Sequence, residues 1–259
     1  MPPATLPTLY YTVFTLFLIA TVLLLAQKKP WARVAMIAGT VIAGMGVVIL
    51  VATQHRLPLY GAFESTFYIL LVVSLLEMVS TRCTGAVHYK GRISLYTGIA
   101  VLVILIMEIN KPIEFNDDFY MYGNIWVNFF FNLRLMAAAF FIHGAILLNT
   151  AAWKRPDKMP EDAVTDCKCR QKKIFYQARN ILLTGIVIYL ASEWSGSLWC
   201  LNWLGDSWRW SKGFFKAAII FLLVMTSFHL PQPLSNSPRA RAIIGSCPAL
   251  FIIWMIFIH

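Results

Sequence analysis

Two of the chain's five histidines, His143 and His229, fall inside long apolar runs. An ionisable side chain in such a run costs roughly 2.5–3.5 kcal/mol on insertion scales, which makes it a functional candidate. His143 lies 17 residues after Trp126, and His229 lies 15 residues after Phe214. At about 1.5 Å per residue, these offsets are about 25 Å and about 22 Å. If both runs enter a bilayer from the same side, the two imidazoles reach similar depth. Two neutral rings at one level can hold a haem iron from both faces. The competing reading is that each ring sits near an interface or bonds to a neighbouring helix. His55 and His259 have the same two readings at the opposite surface: a second axial pair, or a loop histidine and a frayed terminus.

Arg134 lies 8 residues beyond Trp126, about 12 Å into the same run. A guanidinium at that depth needs an anion or a cluster of carbonyls. Glu64, Glu108 or a haem propionate would each serve, the last by planar, bidentate pairing. The cysteines are five and irregularly spaced, so they imply no disulfide framework. Cys167 and Cys169 form a lone C-x-C without further ligands nearby, and they read as incidental thiols.

The elements that must position these residues are membrane spans. Of the 259 residues, 59% are hydrophobic and 13% charged, against about 25% charged in a soluble domain. Eight stretches approach the length of about 20 residues that a bilayer requires: 9–27, 34–53, 63–79, 93–109, 125–152, 174–191, 214–230 and 242–258. The expected fold is therefore all-α, a polytopic bundle of eight transmembrane helices forming one integral membrane domain over residues 1–259. The first run has no basic residue before it, and Lys28 and Lys29 follow it, unlike a signal peptide. Sixteen of the 22 lysines and arginines fall in or beside the odd-numbered connections, leaving six for the opposite side. The positive-inside rule then puts both termini outside the cytoplasm. No basic run is interleaved with aromatic residues outside the spans, so nucleic acid is not an expected partner. The segment 154–173 reads as a solvated cytoplasmic loop, and Ala35, Gly39 and Ala43 give the second span a small-residue packing face.

The segment GSLWCLNWLGDSWRWSKGFF, residues 196–215, carries Trp199, Trp203, Trp208 and Trp210, with Trp194 just upstream. An aromatic belt at the headgroups is spread around a bundle, whereas these rings are concentrated in one segment facing the outer side. A protein-binding face is a second reading. A platform for a flat apolar macrocycle is the third, with indoles stacking on the ring and Gly205 letting the backbone approach.

This segment resembles the tryptophan-rich external loop of the CcsA/ResC family, the haem-handling membrane subunit of system II cytochrome c synthases. That loop has the form G-x-x-W, five residues, G-x-x-W-x-W, an acidic D-P-K-E stretch, then a helix ending in Leu-His. Gly196, Trp199, Gly205, Trp208 and Trp210 fall in register, and His229 falls 19 residues after Trp210 at the family's intramembrane ligand position. Residues 57–65, LPLYGAFES, resemble the family's P-L-x-N-x-Y-E-S stretch through Pro58, Leu59, Glu64 and Ser65. The resemblance covers about residues 55–259. The chain departs from the family where Ser211, Lys212, Gly213 and Phe214 replace the acidic stretch. The first of the family's two outer histidines would fall near Phe129–Phe131, and the second beyond His259.

The resemblance implies a haem b protein of cytochrome c assembly in a bacterial inner membrane, presenting haem at the outer face for attachment to apocytochrome c. It would act as a haem lyase subunit beside a second membrane subunit of the ResB/CcsB type. The implied cofactor site comprises His229 and His143 on the iron, with Trp199, Trp208, Trp210, Gly205, Arg134, His259 and His55 around the macrocycle. The lost acidic stretch leaves a second expectation open: a non-catalytic relative within a larger electron-transfer complex, serving apocytochrome c or a multihaem cytochrome. A transporter or a regulator of haem synthesis is a third class, although no inverted repeat or paired broken helix suggests it.

Overall fold

The computed structural model describes residues 5–57, 62–83, 87–109, 123–152, 161–205 and 212–257. Among them the architecture is entirely helical, with no strand. The helices are α1 (Thr5–Leu25), α2 (Lys29–Gln54), α3 (Ala62–Cys83), α4 (Val87–Glu108), α5 (Ile125–Ala152), α6 (Glu161–Leu204), α7 (Lys212–Phe228), α8 (Gln232–Ser235) and α9 (Pro238–Phe257). Seven of these are long and apolar enough to cross a membrane, by length and composition. The apolar part of α7, Phe215–Phe228, is shorter than that length.

α5 is the hub. It packs on α3, α4, α6 and α9, and 83% of its apolar window is buried, against 28% in α1 and 39% in α2. Its sequence is apolar all round, as a helix enclosed by others requires. The outer helices are two-faced. On α2, Val34, Ile37, Val41, Met45 and Val48 are exposed at three- and four-residue steps, a stripe suited to lipid. Its opposite face is small. Phe17 of α1 packs so close to Gly39 that an added Cβ would meet its ring at 2.8 Å, and Phe67 of α3 meets Gly46 at 2.6 Å. The small-residue spacing read from the sequence is thus a helix-approach device.

Two ends of the bundle can be distinguished. At the basic end, Lys29 of α2 lies against Gly91 of α4, and Gln171 of α6 bonds to the Ala151 carbonyl of α5. At the tryptophan end, Tyr10 of α1 donates to the Leu105 carbonyl of α4, and Ser195 of α6 donates to the Trp126 carbonyl of α5. α6 departs from the expected loop over 154–173, because its helix already begins at Glu161. Pro160 precedes that start and Glu161 and Asp162 occupy its first turn, a combination that favours a helix N-terminus. At its far end α6 continues through Trp194, Trp199 and Trp203 to Leu204, so half of the tryptophan segment is rigid helix.

Candidate functional site

α7 ends where Leu230 and Pro231 follow His229, since proline cannot continue the helix and disfavours helical backbone just before it. The His229 backbone N–H closes the last turn on the Met225 and Thr226 carbonyls. Its ring Nδ1 lies 2.9 Å from the same Met225 carbonyl oxygen. A carbonyl oxygen can only accept, so Nδ1 carries a proton, and in the neutral ring the lone pair is on Nε2. The residue is exposed. This is the tautomer that a metal-binding imidazole needs, with orientation fixed by the non-ligating nitrogen.

His229's chain neighbours Phe228 and Leu230 line a cavity of about 520 Å³ between the basic ends of α6, α7, α8 and α9. α6 contributes one face of its helix to this cavity, with Lys172, Phe175 or Tyr176, Arg179 and Leu182 recurring at three- and four-residue spacing. α9 contributes Arg241, whose guanidinium lies 5.7 Å from the centre of the Phe175 ring. Among the described residues the charged lining residues are Lys172, Arg179 and Arg241, all cations, and the rest of the wall is mostly apolar or aromatic. Such a cavity suits an amphiphile with an apolar body and two or more negative charges. The sequence reading used these three cations only to orient the bundle. Their shared face with Phe175 was legible from the spacing on α6, but the contribution of Arg241 was not.

His143 has other surroundings. It is fully buried on α5, and its Nε2 lies 2.7 Å from Ser80 Oγ of α3. α9 packs on both α5 and α7, and the two imidazoles are engaged separately: His143 turns to α3, while His229 stands at the end of α7. The matched depth expected from the sequence therefore does not translate into a shared contact. Among the described residues no group of three or more His, Cys, Asp or Glu side chains could hold a metal ion. An iron at His229 would need its other bonds from a macrocycle.

At the tryptophan end, Arg134 forms an ion pair with Glu193 of α6 and lies 4.1 Å from the centre of the Phe130 ring. Glu193 was not among the partners expected from the sequence. Glu64 is held instead by Arg56 through two charge-assisted bonds of 2.7 and 2.9 Å. Glu193 lies just past the expected end of its span, and only the antiparallel register of α5 and α6 reveals it. Trp199 is half-buried against Val127 and Phe131, with its ring 6.3 Å from Phe130. A Cβ on Gly196 would meet Phe130 at 2.6 Å, so this glycine lets α5 and α6 close on each other. Gly205 has φ +71, the left-handed geometry of a helix C-cap, and a Cβ there would meet nothing within 4 Å. His55 is exposed and caps α2 at φ 52. Trp208, Trp210 and His259 lie outside the described residues.

Fold and site together define a membrane-compatible helical bundle with a cavity lined by Lys172, Arg179 and Arg241, to which the chain neighbours of His229 contribute. No protein-family model and no curated protein matches the chain.

Proposed function

We propose that the chain is a haem-binding integral membrane protein of cytochrome c assembly, taking haem b into the cavity at the basic ends of α6, α7 and α9. The observation that carries this reading is His229: Nδ1 is committed to the Met225 carbonyl, and its chain neighbours Phe228 and Leu230 line a cavity whose charged groups, among the described residues, are all cationic. The residues fit the group. Lys172, Arg179 and Arg241 would neutralise and orient the propionates, Arg in the bidentate mode. Phe175, Leu182 and Phe228 would cover the macrocycle and exclude water. Haem, once bound, supplies a redox-active iron and the vinyl carbons used in thioether attachment.

In this reading the basic end faces the cytoplasm, as the lysine and arginine asymmetry favours. Eight helices cross a bacterial inner membrane, both termini lie outside, and the tryptophan segment faces the periplasm. There it would meet apocytochrome c and a second membrane subunit of the ResB/CcsB type. Replacement of the acidic stretch by Ser211, Lys212, Gly213 and Phe214, and the phenylalanines at Phe129–Phe131, favour one other reading: a haem-bearing, non-catalytic subunit of a larger electron-transfer complex.

The test is the visible spectrum of the protein purified from haem-replete cells. The expected outcome is a b-type spectrum that His229→Ala removes and His143→Ala retains. Colourless protein, or a spectrum indifferent to His229→Ala, ends the proposal. Deletion that leaves cytochrome c maturation intact while the purified protein keeps its pigment selects the second reading.

A further inference from the structure

The interface of α3 and α4 carries a buried acid that the haem reading does not use. Glu77 of α3 is 6% exposed, and Ser94 Oγ of α4 donates to its Oε1. Two other acids of the bundle have arginines: Glu64 pairs with Arg56 and Glu193 with Arg134. Among the described residues Glu77 makes no such pair, although Arg33 of α2 acts on it electrostatically. A carboxylate inside a membrane helix needs a compensating cation.

The Glu77–Ser94 contact fixes the antiparallel register of α3 and α4. Three residues further toward the tryptophan end, about 4.5 Å along each axis, this register sets Ser74 of α3 opposite Thr97 of α4. They are 1% and 0% exposed, and neither hydroxyl oxygen has a hydrogen-bond partner. This departs from the rest of the molecule. Thr12, Thr15, Thr21, Thr40 and Thr150 each return their hydroxyl to the carbonyl four residues back, the usual resting place inside a helix. Ser246 does the same. Ser74 and Thr97 forgo that bond on facing helices, one helical step from a carboxylate that makes no ion pair among the described residues. The fully buried Leu70, Val73 and Val101 close the seam beyond them.

We infer that Glu77, Ser94, Ser74 and Thr97 form a binding site for a small monovalent cation of sodium size. Hard monovalent cations take oxygen ligands, and the seam offers carboxylate and hydroxyl oxygens. A single carboxylate matches a single positive charge. The ion would tie α3 to α4 and neutralise Glu77 within the bundle.

The test uses the full chain in detergent and needs no haem. Thermal unfolding is followed in sodium chloride and in choline chloride at equal ionic strength. A saturable rise in melting temperature with sodium is expected, because a ligand of the folded state stabilises it by mass action. Thr97→Val keeps the shape and removes one ligand, so it should weaken the sodium response about tenfold. In choline it should melt no lower than the parent, since an orphaned hydroxyl is gone. Glu77→Gln should abolish the response. Equal melting in both salts overturns the site, as does a sodium response that Thr97→Val leaves intact. A stabilisation that follows pH and ignores sodium assigns a proton to Glu77 and overturns it equally.

Discussion

The two ends of α6 handle positive charge in opposite ways. Near the tryptophan end, Arg134 is buried, paired with Glu193 and stacked on Phe130. Near the basic end, Lys172 and Arg179 face a cavity together with Arg241 of α9, and among the described residues no carboxylate lines it. A paired and stacked cation holds two helices together and has little left to offer a ligand. Cations gathered around an apolar cavity repel one another until an anion arrives. The first arrangement is therefore structural and the second is a binding site, although both rest on the same long helix.

The largest test of that contrast is Arg134→Met. It leaves Glu193 without its cation, and breaking such a pair from one side typically costs about 3–5 kcal/mol when both partners are buried. The Glu193 side chain is 29% exposed, so a smaller loss, about 2 kcal/mol, is expected. Adding Glu193→Gln should recover most of it, as a double-mutant thermal unfolding series would read out. Lys172→Gln and Arg179→Gln should do the reverse: unchanged or slightly raised melting temperature, with haem affinity reduced about tenfold for each charge. If Arg134→Met costs pigment but not stability, the assignment of the two ends is inverted.

Gly196→Ala comes next. Its Cβ would stand 2.6 Å from Phe130 Cδ2, and the ring is already held by Arg134 and Trp199. Overpacking of this kind costs about 1–3 kcal/mol. Gly205→Ala acts differently: there is open space but a positive φ, so about 1 kcal/mol is lost to backbone strain alone. Unfolding of the two variants separates packing from backbone geometry, and only the first should respond to a compensating Phe130→Leu.

What the sequence disclosed follows the range of the physics involved. The small face of α2 and the enclosed character of α5 are properties of single helices, and both were legible from spacing. The need of Arg134 for an anion was legible too, because it depends on depth alone. Its partner was not, since Glu193 against Glu64 or Glu108 is decided by the register between helices. The same limit governs His143 and His229. Their offsets along two runs fixed a common depth, but the order of helices around α5 decides neighbours, and it gave His143 to Ser80. The cavity cations were read as topology signals because each is unremarkable alone. Arg241 joins Lys172 and Arg179 only when α9 folds against α5 and α7 and brings it to Phe175.

The smallest expected effect probes the tryptophan end from the side of the ligand. Trp199 stacks on Phe130 at 6.3 Å, while its indole Nε1 is buried without a hydrogen-bond partner. Trp199→Phe keeps an aromatic ring against Phe130 and removes the orphaned donor. Losing an unsatisfied buried N–H offsets the lost area, so stability should change by less than about 1 kcal/mol in either direction. If Trp199 serves only to pack α5 on α6, haem retention is also unchanged. If that N–H is kept for a macrocycle roofed by the tryptophans, the variant should melt normally and bind haem less well. The spectrum and the melting curve of this one variant therefore decide whether the indole end takes part in binding or leaves it entirely to the cavity beside His229.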